Sequence, residues 1–324
     1  MLPPKDRLVI CFAHVAYRLQ ERFLARRSGI ASFEIRAAQE LERRIGEADV
    51  LVVSGLWRDE LLARTQRLRF IQSASAGTDQ YSKPLLKERG VRLASAQGVN
   101  ERAVAEHAMA LILALARRLP EARDNQARRH WRGMMGDIAR REQEIGGKTL
   151  LIIGLGRIGS RLARLAKAFD LSVIGLRRNP GTGGKDADEV HGIERLSAQL
   201  PEADIVALTC PLTPETQGLI GRDALARVKP SAYLVNVARG RCVEGPALIA
   251  ALQEGRIAGA ALDCFAAEPL PESSPLWAFE NVLVTPHTAG ETRRYEDNVI
   301  DLLLENLERL WAGEAMLRYE VVIP

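Results

Sequence analysis

Through the first hundred residues, short apolar runs alternate with stretches whose apolar side chains recur every three or four positions. The runs at 8–12, 33–37, 49–54, 69–73 and 91–94 predict strands, and 19–27 and 60–67 predict helices between them. This alternation is the rhythm of a parallel α/β sheet with helical crossovers. No glycine fingerprint accompanies it. A long apolar helix follows, with Asn100 as its expected N-cap. Val104, Ala108, Leu111, Ile112, Leu115 and Leu119 mark its apolar spacing, and Pro120 is expected to stop it. Its apolar positions exceed what one face needs, which predicts burial between domains or subunits.

From Lys148 the alternation resumes with sharper boundaries. Strands are predicted at 149–153, 171–176, 205–209, 233–237, 259–262 and 282–285, with helices at 157–169, 222–226 and 246–253. Six strands with helical crossovers predict a doubly wound dinucleotide fold. Residues 291–311 read as one amphipathic helix able to return to the first domain. A chain of 324 residues also exceeds the ~250–300 at which single cores stop growing. The expected fold is therefore α/β, with two doubly wound parallel-sheet domains: 1–99 with 291–324, and 100–290.

Composition adds exclusions. With 47% hydrophobic and 27% charged residues, the chain has an ordinary globular profile. Of the 45 basic residues 38 are Arg, yet they are scattered among Glu and Asp, and no nucleic-acid motif accompanies them. A mixed-charge surface is expected, and no nucleic-acid partner. No run of ~18 apolar residues occurs, so no membrane span is expected. Cys11, Cys210, Cys242 and Cys264 lack metal-ligand spacing, which points to free thiols in a cytoplasmic protein and to no metal.

The sharpest chemical signal is Gly154-Leu155-Gly156-Arg157-Ile158-Gly159, directly after the strand at 149–153. In that setting Gly154 permits the turn, Gly156 lets the backbone approach a pyrophosphate, and Gly159 lets helix pack on strand. The helix opening at Arg157 and Ile158 offers amides to the phosphates. Further strand ends carry Asn236-Val237-Ala238-Arg239-Gly240, Asp263 to Pro269, and Thr285-Pro286-His287. Ligands of open α/β sheets bind outside the carboxyl ends of strands, so Arg239, Glu268 and His287 can meet in one crevice. Taken singly, each has a plainer reading: a surface turn, a loop charge and a buried histidine. Together they suit reduction of a 2-oxo acid. The Arg forks onto the substrate, the His delivers a proton to the developing alkoxide, and the Glu orients the ring and balances its charge.

In these motifs the chain resembles the D-isomer-specific 2-hydroxyacid dehydrogenase family, which includes glyoxylate and hydroxypyruvate reductases, D-lactate dehydrogenase and D-3-phosphoglycerate dehydrogenase. Segments 98–115, 154–159, 211–221, 229–240, 247–265, 268–270 and 274–290 follow the family's order. The resemblance implies a Rossmann cofactor domain inserted into a flavodoxin-like substrate domain, and a homodimer built around the long helix. It makes His287 the acid/base, Glu268 its partner and Arg239 the carboxylate anchor. It also implies that Asp263 holds the nicotinamide carboxamide, that Cys210 and Pro211 line the cleft with Ala238, and that the amides of Ala76 and Gly77 receive the substrate carboxylate. Two domains hinged near Gly98–Asn100 and Gly290 are expected to close on the substrate.

The chain departs from the family where an acidic residue usually ends the second cofactor strand. Leu176-Arg177-Arg178-Asn179 stands there. A carboxylate ~20 residues past the glycines accepts the ribose 2′-OH, whereas Arg177 and Arg178 suit a 2′-phosphate. NADP is therefore expected in preference to NAD. Val243-Glu244-Gly245 also replaces the usual Val-Asp-Glu, a change that touches helix initiation. Two alternatives remain open. A formate- or phosphite-type dehydrogenase shares the architecture, although formate-type relatives place Gln where Glu268 stands. A non-enzymatic NAD(H)-sensing corepressor-like scaffold keeps the trio, and turnover of 2-oxo acids discriminates it. His107, beside Glu106, reads as a packing or interface residue, and His14, His130 and His191 as isolated. Trp131, Trp277 and Trp311 read as core or interface aromatics, and Trp57 as a candidate pocket wall.

Overall fold

The computed structural model describes residues 2–181 and 184–322. The chain divides into two compact units, Met1–Asn100 with Glu291–Pro324, and Glu101–Gly290.

The first unit opens with β1 (Val9–Ala13), α1 (Leu19–Ala25), β2 (Ala31–Ile35), α2 (Ala38–Arg44), β3 (Val50–Val53), β4 (Phe70–Ser73), α3 (Lys83–Glu88) and β5 (Arg92–Ala94). Its strands form one parallel sheet in the order β2-β1-β3-β4-β5. That is the flavodoxin-like order, in which the chain reverses direction between β1 and β3. The helix expected at 60–67 is a 3₁₀ turn, Asp59–Arg64. Its buried leucines, Leu61 and Leu62, are adjacent, so no helical stripe forms. Trp57, the candidate pocket wall, is buried against Tyr81 in the core of this unit.

In the second unit, α4 (Glu101–Ala116) and α5 (Leu119–Ala127) precede β6 (Thr149–Ile153), α6 (Arg157–Lys167), β7 (Ser172–Leu176) and β8 (Glu189–His191). Then come α7 (Leu196–Gln199), β9 (Ile205–Leu208), α8 (Arg222–Leu225), β10 (Tyr233–Asn236), α9 (Gly245–Gln253), β11 (Gly259–Leu262) and β12 (Val282–Val284). All seven strands are parallel, in the order β12-β11-β10-β9-β6-β7-β8. This is the dinucleotide-binding order, with its switch point between β6 and β9. One strand, β8, was not among the six expected. At three residues on the sheet edge it is too short to carry a readable alternation. Pro120 does not simply stop a helix, because Arg118 turns left-handed (φ 51°) and Pro120 lies in the first turn of α5. There its missing N–H has no intrahelical partner to lose.

Two apolar layers cover this sheet. One is built from α4 and α6, with Val104, Ala108, Ile112, Leu162 and Ala166 packed on Leu150, Ile152 and Val173. The other carries Leu196, Leu225, Leu248 and Leu252 on Leu151, Ile153, Val206 and Leu208. The buried residues of α4 all belong to this layer of its own unit. The chain then returns to the first unit as α10 (Tyr295–Trp311), whose Val299, Ile300, Leu303 and Leu307 pack with Leu19 and Phe23 of α1. Among the described residues, no helix is long and apolar enough to cross a membrane.

Candidate active site

The glycine loop sits at the carboxyl end of β6, beside the switch point. Gly154 takes φ 105°, and a Cβ there would lie 2.5 Å from the Cys210 amide nitrogen. Only glycine fits so close to the end of β9. A Cβ on Gly159 would strike the Gly154 carbonyl oxygen and come within 2.9 Å of Thr209 Oγ1, so this glycine lets α6 lie against the sheet. By contrast a Cβ on Gly156 would meet nothing within 4 Å. Gly156 opens α6 with no side-chain cap. A tight turn, an open approach and an uncapped helix N-terminus together fit a dinucleotide pyrophosphate. Arg157 is exposed and pairs loosely with Glu101 (3.8 Å), while Ile158 is half-buried. Cys210 is buried and Pro211 exposed.

Arg177 and Arg178 follow β7 directly. The Arg177 amide is held by the His191 carbonyl (3.0 Å) of β8, and the Arg178 side chain is exposed. Residues 182 and 183, in the glycine-rich stretch beyond them, lie outside the described residues.

The loops after β10, β11 and β12 are stitched to one another. Asn236 accepts the Ala238 amide (3.0 Å) and donates to the Arg239 carbonyl (3.0 Å), shaping the turn that presents Arg239. A Cβ on Gly240 would collide with the Phe265 backbone, so this turn lies directly against the loop after β11. In that loop the Phe265 amide donates to Glu268 Oε1 (2.8 Å), and His287 Nδ1 donates to Glu268 Oε2 (2.8 Å). Glu268 therefore bridges two loops. Side-chain exposures of 45% for His287 and 37% for Glu268 leave the pair open to an incoming ligand. His287 is also one of the few non-glycine residues with positive φ, at 55°. Such a conformation costs about 1–3 kcal/mol and persists only where its surroundings hold it.

Asp263 is 1% exposed, and its oxygens are engaged by the loop after β12. Oδ1 accepts from the Thr285 hydroxyl (2.6 Å) and the Thr288 amide (3.0 Å), and Oδ2 from the Ala289 amide (3.1 Å). His107 Nε2 lies 3.1 Å from Thr285 Oγ1. Thr285 is legible in the chain as part of a strand end, but its bond to His107, 178 positions away, is not. Ala76 and Gly77 lie in the first unit, on the loop after β4, where Ser75 Oγ donates to the Gly77 carbonyl (2.9 Å). Among the described residues, no cluster of His, Cys, Asp or Glu is arranged to hold a metal ion. All four cysteines are buried and free. Trp131 and Trp277 are not core residues, at 95% and 55% exposed.

Residues 109–289 match the family described as D-isomer specific 2-hydroxyacid dehydrogenase, NAD binding domain. A glyoxylate reductase of Aeropyrum pernix is 40% identical over 261 residues, 79% of this chain and 77% of that protein. A D-3-phosphoglycerate dehydrogenase of Methanocaldococcus jannaschii is 36% identical over 280 residues, 85% of this chain, which spans only 52% of that longer protein. Among solved structures, the NADPH-dependent glyoxylate/hydroxypyruvate reductase of Sinorhizobium meliloti with NADP and malonate superposes with a TM-score of 0.81 at 26% identity, covering 98% of this chain and 97% of that one. The chain belongs to the D-isomer-specific 2-hydroxyacid dehydrogenase family, NAD(P)-dependent oxidoreductases that interconvert 2-oxo and 2-hydroxy acids.

Proposed function

We propose that this protein reduces a small 2-oxo acid of the glyoxylate/hydroxypyruvate class to the D-2-hydroxy acid, using NADPH in preference to NADH. The observation that carries the reading is the 2.8 Å bond from His287 Nδ1 to Glu268, in the same unit as Arg239 and the glycine loop. Gly154, Gly156, Arg157, Ile158 and Gly159 would hold the dinucleotide, with Cys210, Pro211 and Ala238 along the cleft and Asp263 toward the carboxamide. When bound, that group supplies a hydride to the carbonyl carbon. The Arg239 guanidinium forks onto the carboxylate and carbonyl of the substrate, and the Ala76 and Gly77 amides serve the carboxylate. As the carbonyl oxygen gains charge, His287 gives it the Nε2 proton, while Nδ1–H stays on Glu268 and the ring cannot turn away. Glu268 stands where formate-type relatives place Gln, and a scaffold role has no separate support.

Arg177 and Arg178 support the NADPH preference. A charge-assisted bond is worth about 1.5–3 kcal/mol, so a ten- to hundredfold preference is expected. The homodimer and the cytoplasmic location belong to the same reading. The segment after α5 exposes Trp131 (95%), Met134 (104%) and Ile138 (77%), apolar surface that a second copy would cover. The test is kcat/KM for glyoxylate, hydroxypyruvate, pyruvate and phenylpyruvate with each cofactor, in wild type and in the Arg177→Ala, Arg178→Ala double variant. No turnover with any of the four acids would overturn the substrate class. An unchanged cofactor ratio in the double variant would overturn the role of the arginines.

A further inference from the structure

We propose that His107 and Thr285 are positioning residues, which act through Asp263 to hold the His287 loop in the shape the reaction needs. This rests on His287 being the proton donor, as read above. The direction of each bond follows from which atoms carry hydrogen. A carboxylate cannot donate, so at 2.6 Å the Thr285 hydroxyl gives its only proton to Asp263 Oδ1. Thr285 Oγ1 must then accept from His107 Nε2 at 3.1 Å, which fixes the His107 tautomer with its hydrogen on Nε2. The chain of donors runs from α4, through the residue after β12, to a carboxylate with 1% exposure.

The same carboxylate takes the amides of Thr288 and Ala289, at 3.0 and 3.1 Å. Residues 285–289 therefore wrap around Asp263 with three donors turned inward, and His287 stands at the apex with φ 55°. A left-handed histidine relaxes toward ordinary backbone once its neighbours are released, and its ring then swings off Glu268. Among the described residues, the side-chain bond of His287 is the one to Glu268, which orients the ring but cannot hold the backbone. Asp263 does that, and His107 with Thr285 keep its carboxylate aimed at the loop. Arg239, on the turn after β10, makes none of these bonds, so substrate anchoring is separate from them.

The test uses the full-length protein with three substitutions: Thr285→Val, which keeps the shape and removes the hydroxyl; Thr285→Ser, which restores it; and His107→Leu. Thr285→Val is expected to lower kcat about tenfold while KM for the 2-oxo acid stays within about twofold, because one buried hydrogen bond is lost. Thr285→Ser should recover most of that rate. His107→Leu should lower kcat about threefold, and adding it to Thr285→Val should cause no further loss, since the two act in series. Amide hydrogen exchange across 287–289, measured without substrate, should be faster in Thr285→Val and in His107→Leu. Unchanged exchange in both variants would overturn the anchor. Faster exchange with unchanged kcat, or a loss in Thr285→Val that Ser does not rescue, would overturn the positioning role. A wild type inactive on every 2-oxo acid would remove the function proposed above, while the exchange measurement would still judge the anchor.

Discussion

The two units place the same opening at the same point of the same kind of sheet, and they fill it differently. In the second unit the first strand, β6, runs into a loop of glycines, where Gly156 faces space with nothing within 4 Å of a notional Cβ. In the first unit β1 runs into His14-Val15-Ala16-Tyr17. Here His14 Nδ1 accepts the amides of Ala16 (3.1 Å) and Tyr17 (2.8 Å), and the ring stacks on Tyr17 with centroids 4.0 Å apart. The fold offers backbone amides to an anion in both places. In one an imidazole already occupies them. The histidines differ likewise: His14 has its Nδ1 as an acceptor, whereas His287 has its Nδ1 as a donor to a carboxylate. An arrangement that can pass on a proton needs the second, since there a carboxylate bonded to the ring balances its charge.

The comparison breaks most visibly at His287. His287→Ala should lower kcat about 10²–10⁴-fold, the usual worth of general acid–base assistance, with the cofactor dissociation constant unchanged by fluorescence titration. Near-wild-type turnover would remove His287 from the reaction. Next comes the open loop. Gly156→Asp puts a carboxylate where the pyrophosphate is expected, and should weaken NADPH binding about ten- to hundredfold. Because the site is open, the melting temperature should stay within about 2 °C. A matching loss of stability would mean that the glycine serves packing alone.

The filled loop should respond to acid and not to cofactor. Burial pushes His14 down to about 4 from 6.5, against the pull of Glu296. The unfolded chain therefore takes up this proton at a higher pH than the folded chain does. His14 then contributes stability that is fully present above pH 6.5 and lost as pH falls through that window toward 4. His14→Gln should flatten the fall in urea-unfolding stability between pH 7 and 5 and leave kcat unaltered. An equally steep fall in the variant would assign that acid sensitivity to other groups.

Much of this was legible along the chain because its signals are local. Strand 149–153, the glycines that follow it, and the ends of β10, β11 and β12 are patterns of near neighbours in sequence. The misses have local causes too. β8 is three edge residues with little alternation, and the run at 60–67 carries apolar side chains without helical spacing. Pro120 reads as a stop when considered alone. Only the left-handed Arg118 before it makes it a beginning.

The two sheets, the glycine turn after β6 and the residue types Arg, Glu and His at the strand ends are legible in the chain alone. Each of these follows from hydrophobic period, backbone freedom or side-chain functional groups. Tertiary structure decided which groups meet. The bond between Glu268 and His287 spans 19 positions, and that between His107 and Thr285 spans 178. No periodicity in the chain encodes either. They arise because neighbouring parallel strands end on the same edge of the sheet, and because α4 packs across those strands. Asp263 shows the difference most clearly. Its sequence position marks it as a strand-end carboxylate, and only the fold turns three donors of one loop toward it.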